Sequence, residues 1–156
     1  MRLFAISAIT VFALDQLSKW AVVHGLGLVD LGRIEVWPPY LVFQMAWNQG
    51  VNFGLFANDA ALMRWVLIAV ALAISAYVLI WVWRENVSRS GQIAGGILVG
   101  GALGNVVDRV IYGAVADFLN MSCCGIFNPF SFNVADIAIF VGAFGLILFT
   151  GRKNAP

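Results

Sequence analysis

The stretch FNVADIAIFVGAFGLILFTG, from Phe132 to Gly151, decides the fold class. Nothing from Ile137 to Thr150 is charged, so the segment suits hydrocarbon, yet Asp136 stands just inside its start. An ionised carboxylate at a bilayer centre costs roughly 2.5–3.5 kcal/mol on insertion scales. Such a residue either has a buried partner or takes part in chemistry.

Composition extends the same reading to the whole chain. Its 156 residues are 62% hydrophobic and 11% charged. A soluble domain averages about 45–50% apolar and about 25% charged residues. One integral membrane domain covering 1–156 is expected. The net charge of +1 and the scattered Lys and Arg exclude a polyanion-binding surface, and with it a nucleic-acid partner. Cys123 and Cys124 are adjacent and have no other cysteine to pair with, so no disulfide framework exists and they read as bystanders. His24 is the single histidine, which excludes HExxH and His-rich metal sites. No metal or other cofactor is expected.

Four apolar stretches, about 3–23, 62–83, 92–111 and 134–151, approach the roughly 20 residues that cross hydrocarbon. The predicted fold is therefore an all-α membrane protein with four transmembrane helices. Arg2 before an apolar run imitates a signal peptide, but Asp15 and Lys19 interrupt that run and no small-residue cleavage site follows. An uncleaved first span is the expectation. Arg2, Arg84, Arg89, Arg152 and Lys153 fall on one side of the four-span arrangement, against Arg33 and Arg64 on the other. The positive-inside rule puts both termini in the cytoplasm. In a bacterium, loops 24–61 and 112–133 would then face the periplasm.

The first of these loops carries a β-favouring piece, 40–47, followed by the turn signal NQG. Trp37, Tyr40 and Trp47 are candidates for headgroup depth, or else the loop merely lies on the membrane. The third span reads GQIAGGILVGGALGNVVDR. Its Gly96, Gly100 and Gly104 recur every four residues and give one helical face that admits a neighbouring backbone.

Several polar residues remain to be explained. Asp15 and Lys19 are spaced as a helical ion pair with the acid N-terminal, either a self-neutralising packing device or a means of positioning a substrate. Asn105 and Arg109 share a face at the end of the third span, with Asp108 beside them. Arg109 there can hold a carboxylate, a backbone carbonyl or a lipid phosphate. Asp117 and Asp136 sit at the outer edges of the third and fourth spans, joined by one loop, and can face each other across a helix–helix groove. Two close carboxylates cannot both ionise easily, which leaves one base and one acid at working pH. That pair can activate water on a peptide carbonyl. Taken alone, Asp15, Asp108, Asp117 and Asp136 equally suit an ion path.

DQLSKW, NQGVNFGLF, GALGNVVDRVIYGAVADFLN and FNVADIAIFVG occur in that order across nearly the whole chain. Together they resemble the lipoprotein signal peptidases (signal peptidase II), intramembrane aspartyl proteases of bacteria. The resemblance implies four membrane helices, a small extracytoplasmic β-element and a loop or short helix over the active site. It implies cleavage of prolipoproteins on the N-terminal side of a cysteine bearing diacylglyceryl, in the bacterial inner membrane, with the lipid chains entering laterally between helices. It implies Asp117 and Asp136 as the catalytic pair, with Asp15, Lys19, Asn48, Gly50, Asn105, Asp108, Arg109 and Asn133 as substrate-site or supporting residues. Asn52 departs from the small apolar residue expected within NQGVNFG, which bears on substrate preference near that loop. Nothing implies an oligomer.

Two other readings compete. A small proton-coupled transporter or channel would string carboxylates through the membrane depth. A structural subunit would need only the glycine face and the ion pair. Orientation gives the first test, because the protease reading needs the dyad on the outer face. An alkaline phosphatase fusion after Asp30 should be active and one after Arg89 inactive; the opposite pattern would overturn that orientation.

Overall fold

The computed structural model describes residues 1–50, 60–85 and 87–150. Helix α1 (Arg2–Lys19) runs directly into a π-helical turn (Trp20–Gly25), and a short α2 (Leu28–Leu31) follows. Strands β1 (Arg33–Trp37) and β2 (Leu41–Asn48) form a hairpin. Helices α3 (Ala60–Arg84) and α4 (Arg89–Tyr112) then precede β3 (Val115–Asn120) and α5 (Val134–Thr150). The three strands make one antiparallel sheet in the order β1-β2-β3. Asn52 falls outside the described residues.

Among the described residues, three helical segments are long and apolar enough to cross a membrane: Arg2–Gly25, Ala61–Arg84 and Arg89–Tyr112. Helix α5, with 17 residues, is apolar but shorter, about 26 Å at 1.5 Å per residue. Outward side chains such as Ile9, Leu17, Trp65, Tyr77, Phe140 and Ile147 are exposed, which is the arrangement expected of a bundle whose solvent is lipid. Helix α4 is the axis. Its spanning window is 67% buried, against 17% for the first segment and 22% for the second, and α1, α3 and α5 all pack on it.

Missing side chains make that packing possible. A Cβ at Gly96 would strike Phe4 and Ser7, one at Gly100 the Ala8 carbonyl, and one at Gly104 the Asp15 carboxylate. On another face of α4, a Cβ at Gly101 would lie 2.6 Å from the Ala135 carbonyl of α5. Lipid offers no hydrophobic drive to hold helices together, so close van der Waals contact must do it.

The sheet closes one end of the bundle. Val23, Leu28, Ala116 and Phe118 form a buried cluster with Phe43 and Met45 around it, and the Phe43 and Phe118 rings meet edge-on at 6.1 Å. Gly113, at φ 80°, ends α4 in the left-handed conformation and lets the chain turn straight into β3. Asp117 therefore sits within a strand and not at a helix edge. The two-residue period of that strand directs Asp117 to the face opposite Ala116 and Phe118.

Gly100 tests the role of close approach. Gly100→Val should destabilise the protein in detergent by ~1–3 kcal/mol or more, because backbone and not a flexible side chain must move. Val110→Ala, at a position 54% exposed, should leave the thermal midpoint nearly unchanged. Equal midpoints for both variants would remove the glycine face as a packing determinant.

Candidate active site

The site starts from the first turn of α5. A helix N-terminus leaves backbone N–H groups without intrahelical acceptors. The Asn133 Oδ1 accepts from the Asp136 N–H at 2.9 Å, and the Asp136 Oδ2 accepts from the Asn133 N–H at 3.2 Å. This is a reciprocal capping box written Asn-x-x-Asp. The Ala135 N–H donates to the Asp15 Oδ1 at 2.9 Å, so a carboxylate from α1 caps the same turn. Negative charge is favoured there by the helix dipole. Asp136 is thus tolerated at the head of an apolar helix because it serves that helix's own orphan donors.

Asn133 also connects the two aspartates. Its Nδ2 donates to the Asp117 Oδ1 at 2.6 Å and to the Asn105 Oδ1 at 3.3 Å. The Asn105 Nδ2 in turn donates to the Asp136 Oδ1 at 2.9 Å. The second oxygen of Asp117 accepts from the Asn48 Nδ2 at 3.0 Å, while the Asn48 Oδ1 accepts from the Gly50 N–H at 2.8 Å. That turn aims the Asn48 amide, which assigns Gly50 a structural part. Asp117 is buried and Asp136 half-buried. Burial first, and then the charge of Asp136, push the Asp117 carboxyl up to about 6, against the lowering effect of Asn48, Asn133 and Lys19. A groove of about 440 Å³ opens on Asp117 between Trp47 and Asn48 on one side and Phe130 and Ser131 on the other.

Behind this pair lies an ion cluster. The Lys19 Nζ is 2.7 Å from both the Asp15 Oδ2 and the Asp108 Oδ2, and it donates to the Asn105 Oδ1 at 3.3 Å. Lys19, Asp15 and Asp108 are all buried. The expected self-contained pair is therefore a three-membered cluster. One positive charge cannot balance two carboxylates, and neutral donors supply the remainder. The Gln16 Nε2 reaches the Asp15 Oδ2 and the Asp108 Oδ1 at 3.1 Å each, and the Ala116 N–H donates to the Asp108 Oδ2 at 3.2 Å. Gln16 went unnoticed in the sequence reading; a long amide beside Asp15 in an apolar run was the available signal.

Arg109 donates through Nη1 to the Asn105 carbonyl at 3.3 Å, so a backbone carbonyl is the partner observed. Its buried Nε has no hydrogen-bond partner among the described residues. Asp136, Asp117 and Asp108 are the carboxylates whose charges act on it. Asp15, Asp108, Asp117 and Asp136 thus belong to one connected network of hydrogen bonds, which is not the depth-spanning string of acids that an ion path requires.

The chain is similar to known proteins along most of its length. The profile of the family described as Signal peptidase (SPase) II matches residues 7–151. A lipoprotein signal peptidase of Methylorubrum extorquens (strain PA1) is 43% identical over 92% of this chain and 82% of its own length. Another, of Sphingopyxis alaskensis, is 39% identical over 98% of this chain and 89% of its own length. A bacterial membrane enzyme solved by the in meso method at 1.9 Å resolution superimposes with a TM-score of 0.82, covering 99% of this chain and 96% of that one. Its 23% identity makes that a likeness of fold. With sequence similarity running from the first helix into the last, the chain belongs to the signal peptidase II family.

Proposed function

We propose that the protein is an aspartic endopeptidase of the membrane that removes signal peptides from prolipoproteins, cutting before a diacylglyceryl-modified cysteine, with Asp117 and Asp136 as its catalytic pair. The observation that carries the reading is the sharing of Asn133. One side chain holds a carboxylate oxygen of Asp117 with its amide, and its own backbone N–H holds a carboxylate oxygen of Asp136. The charge of Asp136 beside Asp117 then favours a proton on Asp117.

The division of labour follows from their surroundings. Asp117, raised to about 6, is the partner that carries the proton, and Asp136 is the base. Asp136 takes a proton from water as the water oxygen attacks the scissile carbonyl carbon, and Asp117 gives its proton to the carbonyl oxygen. The tetrahedral adduct collapses as the C–N bond breaks. Asp136 returns its proton to the leaving nitrogen, and Asp117 recovers one from the hydroxyl. Asn48, Asn105 and Asn133 hold the carboxylates in place. Asp15, Lys19 and Asp108 anchor α1 to α4, β3 and α5 behind them.

The exposed apolar face of α5, with Ile137, Phe140 and Val141 next to Asp136 in sequence, offers lateral access for the lipid chains of the substrate and of the surrounding membrane. In this reading α5 is the fourth span, both termini are cytoplasmic, loops 24–61 and 112–133 are periplasmic, and the pair lies near the periplasmic face of the bacterial inner membrane.

Cleavage of a lipid-modified precursor by purified variants in detergent tests the pair. Asp117→Asn and Asp136→Asn should each lower turnover by at least ~10²–10⁴-fold, and the double variant should lose little more, because the two act as a unit. Precursor binding should persist in both. Substantial turnover by either folded variant would rule out the mechanism.

The pH dependence has a definite sign. Asp117 binds its proton more tightly in the folded protein than at its ordinary value of 3.8, so its contribution to stability falls as pH rises from about 4 to about 6 and is level above that. The single-proton pair is lost over the upper part of the same range, so kcat/KM should fall as pH rises through about 6. Asp117→Asn should flatten the corresponding part of the stability profile. Activity that instead climbs through pH 6 would make Asp117 the base and reverse the two roles.

A further inference from the structure

A cavity of about 270 Å³ is lined by Lys19, Asp108 and Gln16 together with Trp20, Trp47 and Tyr112, and by neither Asp117 nor Asp136. Its inner residues are buried, with Lys19 6% and Asp108 1% exposed, whereas its aromatic residues are 42–66% exposed in the manner of a mouth: Trp20 66%, Trp47 42% and Tyr112 49%. Tyr112 ends one membrane-length segment and Trp20 lies five residues before the end of another at Gly25, close to headgroup depth for a spanning helix, while Trp47 of β2 packs on Tyr112.

The chemistry of the cavity selects a cation. Lys19 is held between Asp15 and Asp108, so its ammonium already faces two carboxylates. Indole and phenol faces at the mouth attract positive charge through their negative ring faces. Trp47 and Tyr112 pack with ring centres 5.5 Å apart, and His24 lies 6.3 Å from Tyr112, so the wall is continuous. A hard metal ion fits poorly, because it needs several free oxygen ligands. The Asp108 oxygens are already engaged, one by Gln16 and the other by Lys19 and the Ala116 N–H. An organic ammonium needs only the ring faces of the mouth beside a carboxylate-bearing inner wall.

We propose that this cavity binds an alkylammonium group, supplied either by an aminophospholipid headgroup or by a free amine. The cavity shares Trp47 with the groove at Asp117 but is lined by neither aspartate, so its occupancy does not rest on the proposed reaction.

Trp20 and Trp47 provide the readout. The purified protein in maltoside detergent is titrated with ethanolammonium chloride, tetramethylammonium chloride and a short-chain phosphatidylethanolamine, and tryptophan emission is followed. Sodium chloride, magnesium chloride and a short-chain phosphatidylglycerol of matched chain length serve as controls. The ammonium-bearing probes should give a saturable change that the controls do not. Tyr112→Leu should weaken binding at least fivefold, while Tyr112→Phe, which keeps the ring face, should stay within twofold of the parent. Should Tyr112→Leu fail to fold, Trp20→Leu makes the same test with Trp47 as reporter. Tighter binding of the aminolipid than of ethanolammonium assigns the headgroup, and equal binding assigns a free amine. An equal response to sodium chloride, phosphatidylglycerol matching phosphatidylethanolamine, or a leucine variant that binds as well as the phenylalanine one would overturn the proposal.

Discussion

The Lys19 ammonium between Asp15 and Asp108, 2.7 Å from an oxygen of each, is the constraint on which the remaining structure depends. Burying these groups costs several kcal/mol per ion, so each must be fully engaged or the cluster becomes a liability. Full engagement requires parts from four elements. Gln16 comes from the same helix, Asn105 from α4, the Ala116 N–H from β3 and the Ala135 N–H from α5. The register between α1 and α4, and the seating of β3 and α5 at their ends, are therefore specified together. Gly104 belongs to the same constraint, since any side chain there would occupy the place of the Asp15 carboxylate.

Nearer the groove the chain uses neutral amides in place of cations. Asn48, Asn105 and Asn133 give directional hydrogen bonds to the candidate dyad without neutralising it. A lysine in direct contact with Asp117 would favour ionisation and pull its carboxyl down. Amides leave burial and the charge of Asp136 as the stronger influences, and the carboxyl stays at about 6, close to the range where a proton can be both held and released. Keeping the lysine cluster one amide away, with Asn105 as the link to Asp136, reconciles a stable core with an acid-bearing edge.

Much of this was legible from residues alone. Long apolar runs had no other stable environment than lipid, the four-residue glycine repeat marked a face of close helix contact, and the acids, with Asn105, stood out because hydrocarbon makes them costly. The motif resemblance named the family to which the full-length similarity assigns the chain. The capping box was also written in the sequence as Asn133-x-x-Asp136, although it was read there only as a motif for chemistry.

What the sequence determined by itself is local: which segments are apolar, which residues share a helix face, and which polar side chains need partners. The choice of partners was decided by the tertiary structure. Asp15 and Lys19 read as a closed pair because helical spacing relates only residues a few positions apart, whereas Asp108 arrives from a helix some ninety residues on. Asp117 read as a helix-edge residue because a short buried strand, VADFLN, has no period of its own to distinguish it from a loop; pairing with β2 makes it a strand and sets its facing. Periodicity carries information along one element. Hydrogen bonds between buried groups carry it across elements, and only the folded chain brings those groups within 3 Å of each other.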